Sequence, residues 1–286
     1  MDEETSGKNH DELPAYRAKR LKGEGWDMLR LAYGVHREFY HDALEKFRAA
    51  EKLAREAGAQ EILADVLGGM AAALRVSGKR DRTAEAVGYS EEEAGILRTL
   101  GRESEALERE VGLLAAYRDL ATLAAGEGAA VDCLTKGINL GRKRLDEART
   151  RGDKGLTAAY CNNLADLCTL MSTTDVEMGE SHLKTASALY RQAEDLWGDA
   201  EPEGRAAARM GLAETYLRLN TNLGAAQDLL EQVQEFYESA GHRVEYQIAQ
   251  VKSLMAMVHE ARGDNEIAKM LRQEAAAIFR RMGFSG

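Results

Sequence analysis

The sequence predicts an all-α protein, a right-handed α-solenoid of about six antiparallel helix pairs. Three observations support this prediction: a helix-favouring composition, a glycine that recurs along the chain, and an apolar stripe of helical period before each of those glycines. Alanine, leucine, glutamate and arginine are abundant, whereas β-branched residues are sparse and only 2 of the 286 residues are proline. Such a composition favours helix over sheet.

The recurring phrase is a charged residue three positions before a glycine. It reads REAG, RTLG, RTRG, DLWG, ESAG and RRMG, and it ends at Gly58, Gly101, Gly152, Gly198, Gly241 and Gly283. The positions four, five and twelve residues before these glycines are each apolar in five of the six cases, which marks one stripe on a helix. Glycine reaches the left-handed conformation without a Cβ penalty, so each phrase predicts the end of a helix.

Each interval between these glycines must hold two helices, because forty-odd residues exceed the usual helix length. Four predicted first helices, at 63–78, 156–171, 204–220 and 247–263, share a large apolar residue followed by a small one. These pairs are Leu67-Gly68, Leu164-Ala165, Leu212-Ala213 and Met255-Ala256. We expect the small residue to let a neighbouring helix approach closely. Stacking the pairs would bury a continuous core, although a compact helical bundle with coincidental spacing is an alternative.

Some units match a known repeat more fully. The residues that fall at the spacings of the tetratricopeptide pattern are Leu212, Ala213, Tyr216, Ala225 and Leu229, then Met255, Ala256, Gly263, Ala268 and Ala275, and, for the second helix alone, Ala43, Phe47 and Ala50. On these residues the chain resembles the tetratricopeptide repeat superfamily, and its long-repeat members such as kinesin light chain, LGN-type proteins and ciliary repeat proteins. The resemblance covers roughly residues 24–283. It departs from the family in placing glycine where a proline usually closes the second helix.

We expect the chain to divide into a polar, partly disordered N-terminal segment at 1–23 and a solenoid at 24–286. The unit from 102 to 152 matches the repeat pattern least well. There the stretch LGRESEAL, 100–107, could be the turn inside a repeat, which would shift the pairing by one helix. The glycine register favours the unshifted pairing, because it leaves six complete pairs and no orphan helix.

Composition also argues against several classes of protein. A net charge of −10 argues against nucleic-acid binding as the main role. No run of eighteen apolar residues occurs, and the N-terminus lacks the apolar core of a secretory signal, so we expect no membrane insertion. The three cysteines form no CxxC pair, which suits a reducing compartment, and we therefore expect a cytoplasmic location.

Sequence signals for catalysis are missing. The chain has no HExxH, GxSxG or GxxxxGK[ST] motif, and its histidines do not pair at metal-ligand spacing, so we predict no catalytic residue, metal or cofactor. Cys161 and Cys168 are interpreted as core thiols. The acidic run at 91–93 and the basic run at 142–144 are interpreted as solvated faces, with an acidic partner as the alternative for the basic run.

The resemblance implies that the first helices of the pairs line a concave groove that holds peptides. In that family, asparagines there form hydrogen bonds with the peptide backbone, because the asparagine amide has both an N–H donor and a carbonyl acceptor. Asn162 and Asn163 occupy that position, although they could instead turn to solvent. The same register assigns further residues to the groove: Arg30, Tyr33, Arg37, Asp65, Asp166, Glu214 and Arg218. The lysine-asparagine set with which some members clamp a C-terminal carboxylate is not recognisable.

The sequence therefore predicts a non-catalytic scaffold that binds a protein or peptide partner in the groove, and the chain could also be one subunit of a larger assembly. One alternative is a regulatory sensor, whose solenoid responds to a peptide or small ligand and controls an effector on another chain. A helical enzyme is a third possibility, and no sequence feature favours it.

Overall fold

The computed structural model describes residues 13–34, 39–124, 126–240 and 245–282. Every regular element in these ranges is an α-helix, and the fold is an all-α solenoid rather than a compact bundle. The helices are α1 (Pro14–Gly34), α2 (Phe39–Glu56), α3 (Gln60–Val76), α4 (Arg80–Thr99), α5 (Glu103–Thr122), α6 (Glu127–Arg151), α7 (Lys154–Thr174), α8 (Gly179–Trp197), α9 (Pro202–Arg218), α10 (Leu223–Ala240), α11 (Glu245–Arg262) and α12 (Asn265–Arg281). Within the described ranges, no helix is both long enough and apolar enough to cross a membrane.

The chain forms two compact units, Met1–Cys133 and Leu134–Gly286. In the first unit α1 to α5 pack consecutively, and α3 also contacts α1 and α5. In the second unit α7 to α12 pack consecutively, and α9 also contacts α7 and α11. Among the described residues of each unit, a helix therefore contacts the next helix but one along the chain only when both are odd-numbered. This pattern is that of odd-numbered helices as the first members of the pairs, and it favours the unshifted pairing.

The predicted terminators end the even-numbered helices. Gly101 has a φ of 73°, its N–H donates to the carbonyl of Arg98 at 2.9 Å, and the N–H of Arg102 donates to the carbonyl of Leu97 at 2.9 Å. This pair of bonds is the Schellman motif, and it recurs at Gly58 and Gly152. The charged residue of each phrase thus contributes its backbone carbonyl to the turn.

The remaining terminators differ. Gly198 also has a positive φ, 51°, but its N–H donates to the carbonyl of Glu194, so its turn is of another kind. Gly241 and Gly283 lie outside the described residues. The prediction of a left-handed stop is confirmed for Gly58, Gly101 and Gly152, whereas Gly198 ends α8 with a positive φ but an extended ψ of −142°.

The first helix begins earlier than the sequence-based division of the chain. Helix α1 begins at Pro14, so residues 14–23, assigned above to the polar N-terminal segment, are part of it. Proline suits the first helical position, because its missing N–H would have no intrahelical partner there. Ala18 and Leu29 are buried on α1. Residues 1–12 lie outside the described ranges.

Glycines inside the odd-numbered helices make room for aromatic rings of the even-numbered ones. The Phe47 ring of α2 is fully buried, and a Cβ on Gly25 or Gly69 would lie 2.8 or 2.4 Å from it. In the second unit a Cβ on Gly211 of α9 would lie 2.3 Å from the Tyr190 ring of α8. These glycines are not the small residues of the large-small pairs; of those, Gly68 admits the Glu93 carboxylate instead of a ring.

Candidate functional site

The candidate site is the polar surface of the odd-numbered helices, here called the odd-helix face. In the first unit it comprises Lys22, Asp65, Arg75, Arg109 and Asp119, and in the second Asn162, Asn163, Asp166, Glu214 and Arg218. Both sets lie on the helices that contact one another two apart in sequence. The two halves are described separately below.

Asp65 connects three helices of the first unit. Its carboxylate accepts a hydrogen bond from Lys22 Nζ of α1 at 2.7 Å and lies 3.6 Å from Arg109 Nη2 of α5. A second link joins α3 to α5, where Nε and Nη2 of Arg75 donate to Asp119 Oδ2 at 3.0 and 2.8 Å. These half-buried pairs hold neighbouring odd-numbered helices together, so their charges serve the solenoid itself.

A buried carboxylate lies behind this surface. Glu93 of α4 is only 4% exposed, and its Oε1 lies 3.4 Å from Arg109 Nε without a hydrogen-bond partner among the described residues. Gly68 makes the space, because a Cβ there would lie 2.5 Å from Oε1. Burial raises the pKa of Glu93 to about 7, against the lowering effect of Arg109, while the charges of Asp65 and Glu105 raise it further.

Glu93 corrects the interpretation of the acidic run as a solvated face. The three members of the run have different surroundings, since the exposed Glu91 accepts from the Tyr117 hydroxyl at 2.8 Å and Glu92 pairs with Arg55 at 2.8 Å. The signal that could have identified Glu93 is its spacing. It falls on the stripe that runs through Ala86, Ser90 and Leu97, all of which are buried.

The other residues that the sequence assigned to the groove in the first unit are Arg30, Tyr33 and Arg37. Arg30 is exposed and forms an ion pair with Asp27 on its own helix, whereas Lys22 is the residue of α1 that reaches Asp65. The Tyr33 side chain and Arg37 lie outside the described part of the structure. Helix α1 does contain a large-small pair, Leu31-Ala32, but Leu31 is 49% exposed, whereas the leucines of the corresponding pairs in α3, α7 and α9 are buried. The register assumed for α1 from that pair therefore does not hold.

Asn162 and Asn163 both lie half-buried on α7. Asn163 Nδ2 donates to the carbonyl of Ala159 at 2.9 Å, one turn earlier. Asn162 Oδ1 is buried and has no hydrogen-bond partner among the described residues. Asn163 thus bonds to its own helix, whereas Asn162 has an acceptor without a partner in the described part of the structure.

Asp166 and Glu214 are brought together around Tyr190. The Tyr190 hydroxyl of α8 donates to Asp166 Oδ1 of α7 at 2.6 Å. Burial raises the pKa of Tyr190 well above its ordinary value, and the negative charges of Asp166 and Glu214 add to the effect. Glu214 also pairs along α9 with Arg218, whose Nη2 lies 2.7 Å from Oε1. Asp166 therefore has a structural partner, and Arg218 is the exposed member of this group.

The cysteines of α7 are core thiols. Cys161 and Cys168 are both buried, and burial raises the pKa of each thiol to about 11. A protonated thiol is a weak nucleophile and a poor metal ligand. Across the described residues, no group of three histidine, cysteine or acidic side chains is arranged to hold a metal ion.

The basic run of α6 is divided between solvent and a local pair. Arg142 and Lys143 are exposed, as interpreted from the sequence. Arg144 is half-buried, and its Nη1 donates to Glu147 at 2.6 Å. The run therefore offers two cations rather than three to any acidic partner.

The solved structures that resemble this chain include the following two. Nearly identical TPR-like repeats of a putative kinesin light chain from Podospora anserina share 19% identity and a TM-score of 0.51, covering 77% of this chain and 97% of that chain. BtubC (BKLC) from P. vanneervenii shares 15% identity and a TM-score of 0.47, covering 96% of this chain and 93% of that chain. No protein-family model matches the chain, and no curated protein sequence matches it. Helix order, pairing and likeness to the repeats from Podospora anserina together show that the chain has a TPR-like helical repeat fold.

Proposed function

We propose that the chain is a non-catalytic scaffold that binds a protein or peptide partner on its odd-helix face, chiefly in the second unit. The observation that supports this proposal is the unused Oδ1 acceptor of Asn162, beside Asn163 on α7. The proposal includes a cytoplasmic location and does not exclude a place as one subunit of a larger assembly. It assigns no catalytic step to any residue.

An unpaired, buried acceptor is costly. Leaving such a group without a partner costs about 1–3 kcal/mol, so a rotation of the Asn162 amide that brings Oδ1 to a donor of a ligand recovers part of that free energy. An extended peptide presents backbone N–H and C=O groups, and asparagine can pair with both. Asn163 uses one amide hydrogen for Ala159 and keeps its other groups for a ligand.

The second unit is the better candidate for the binding surface, because the charged side chains of the first unit pair with one another across helices. Asp65 and Arg75 form ion pairs that cross from one odd-numbered helix to another. In the second unit Glu214 and Arg218 pair along one helix, and such exposed pairs contribute little to stability. Arg218 can therefore exchange Glu214 for an acidic group of a partner. Arg30, Tyr33 and Arg37 would extend the surface if the partner also reaches the first unit.

The proposal is tested with the double variant Asn162→Ala/Asn163→Ala. Partners captured from a lysate of the source organism are identified by mass spectrometry, and one identified partner is then titrated in purified form. We expect the double variant to bind at least tenfold more weakly, because two backbone-pairing amides are removed. Its melting temperature should stay close to that of the wild type, because neither amide connects two helices.

The matched control is Asn139→Ala, which removes an exposed asparagine from α6. It should bind the partner like the wild type. Unchanged binding by the double variant, together with a large loss of thermal stability, would show that the two amides are structural and would remove the support for the proposal.

A further inference from the structure

A cavity of about 710 Å³ lies between α8 and α9, close to the turns that precede α8 and follow α9. Its lining includes Lys184, Ser187 and Arg191 from α8, and Tyr216 and Arg218 from α9. Three of these side chains are cationic, and Glu180 is the acidic side chain in the lining. This local excess of positive charge occurs in a chain whose net charge is −10. Ligand pockets usually occupy about 300–1,000 Å³, so the cavity can hold a small molecule.

Arg191 supplies a positive charge that no acidic side chain neutralises. Its Nε and Nη2 donate to the Tyr216 hydroxyl at 3.0 and 2.7 Å. Among the described residues, no carboxylate lies within ion-pair distance of its guanidinium, and Nη1 has no acceptor. Tyr216 accepts both bonds through its oxygen, so its own hydroxyl hydrogen remains available to a ligand in the cavity.

Ser187 adds a second unused donor. The residue is only 6% exposed and lines the cavity, yet its hydroxyl forms no hydrogen bond to any described residue. The hydroxyl can therefore donate to a ligand that lies in the cavity.

The other two cations are held only weakly. Lys184 pairs with Glu180 on the same helix, and both side chains are largely exposed. Arg218 pairs with Glu214 one turn earlier on α9. Exposed pairs of this kind are worth about 0–1 kcal/mol, so either cation can turn toward a ligand of higher negative charge.

We propose that this cavity binds the phosphate group of a small phosphomonoester. A phosphate carries three strong acceptor oxygens and a charge of about −1.5 to −2 at neutral pH. Those acceptors match the donors that the cavity leaves unused, which are Nη1 of Arg191 and the hydroxyls of Ser187 and Tyr216. The charge matches Arg191 together with one of the two weakly held cations. The remaining volume accommodates the organic part of the ligand. This inference does not need the proposed scaffold function, although the two share Arg218, because its main donors are Arg191, Ser187 and Tyr216.

The probe is inorganic phosphate, titrated into the full chain at constant ionic strength with chloride as the replaced anion. Binding is followed by the linewidth of the phosphorus NMR signal and by the melting temperature. We expect a saturable response. Arg191→Gln should raise the half-saturating phosphate concentration at least tenfold, and Ser187→Ala should raise it several-fold, because each removes a donor to the phosphate.

The matched control is Arg280→Gln, which removes one positive charge from an exposed site on α12, away from the cavity. It should titrate like the wild type. A linear, non-saturating response of the wild type, or equal weakening by all three variants, would overturn the proposal. Saturable binding of succinate in place of phosphate would overturn the assigned ligand chemistry, since it would mean that the cavity selects carboxylates.

Discussion

The Tyr190 hydroxyl donates a 2.6 Å hydrogen bond to Asp166, and this bond fastens α8 to α7 at the centre of the second unit. Tyr190 is 3% exposed, and its ring lies against Gly211 of α9. One side chain therefore contacts three consecutive helices. Asp166, which the sequence assigned to a binding groove, thus accepts a hydrogen bond from inside the protein.

Tyr190→Phe should lower the free energy of unfolding by about 1–2 kcal/mol. The substitution keeps the buried ring and removes only a hydrogen bond to a carboxylate, and such bonds are worth more than neutral ones. The measurement is urea denaturation at neutral pH. Tyr16→Phe, at an exposed tyrosine on α1, is the control and should unfold like the wild type. Equal stability of Tyr190→Phe and wild type would show that water replaces the hydroxyl without cost.

Glu93 should make the first unit less stable as the pH rises. Its pKa is about 7 in the folded chain and near 4.5 when unfolded, so between these values the folded state binds more protons. The neutral form therefore contributes stability that is fully present below pH 4.5 and is lost as the pH rises through 7. The raised pKa of Glu93 therefore lowers the free energy of unfolding by roughly 3 kcal/mol at pH 8, because each unit of pKa shift corresponds to about 1.4 kcal/mol.

The variant Glu93→Gln isolates this contribution, because glutamine keeps the shape of the neutral acid. We expect it to match the wild type closely in urea denaturation at about pH 4 and to exceed it at pH 8. The opposite order at pH 8 would mean that the ion pair with Arg109 outweighs the cost of burying the charge. Other carboxylates titrate in both proteins, so only the difference between the two is interpreted.

The fold could be predicted from the sequence because its determinants are local. A Schellman turn such as the one at Gly101 depends on residues within about two helical turns, and the apolar stripe depends on spacing along one helix. The pairing followed from the same register. The structure confirmed it through contacts that join only odd-numbered helices within the described residues of each unit.

The candidate site was harder to predict because it depends on side chains from separate helices. The burial of Glu93 requires the missing side chain of Gly68 on α3 and the cation of Arg109 on α5, which no periodicity connects. Likewise, Lys22 rather than Arg30 reaches Asp65, because the Leu31-Ala32 pair that suggested the register of α1 leaves Leu31 exposed. Patterns along one helix identify the faces, whereas partners across helices require the structure.

Gly101→Val should destabilise the chain by about 1–2 kcal/mol. The φ of 73° is strained for any β-branched residue, and the turn cannot relax without losing the two bonds that close α4. The comparison is Gly112→Ala on α5, where open space surrounds the added Cβ. Thermal and urea denaturation of both variants provide the measurement. A valine variant as stable as the wild type would contradict the assignment of Gly101 as a helix terminator.

Two further glycine substitutions should have opposite effects. Gly69→Ala places a Cβ 2.4 Å from the fully buried Phe47 ring, which has no free volume to enter, so we expect a loss of about 1–3 kcal/mol. Gly88→Ala, in the middle of α4, meets no atom within 4 Å. It should instead stabilise the chain by about 0.5–1 kcal/mol, because alanine loses less backbone entropy in a helix. Urea denaturation of both variants provides the measurement. If Gly69→Ala proved as stable as Gly88→Ala, the close packing of α2 against α3 at Phe47 would be wrong.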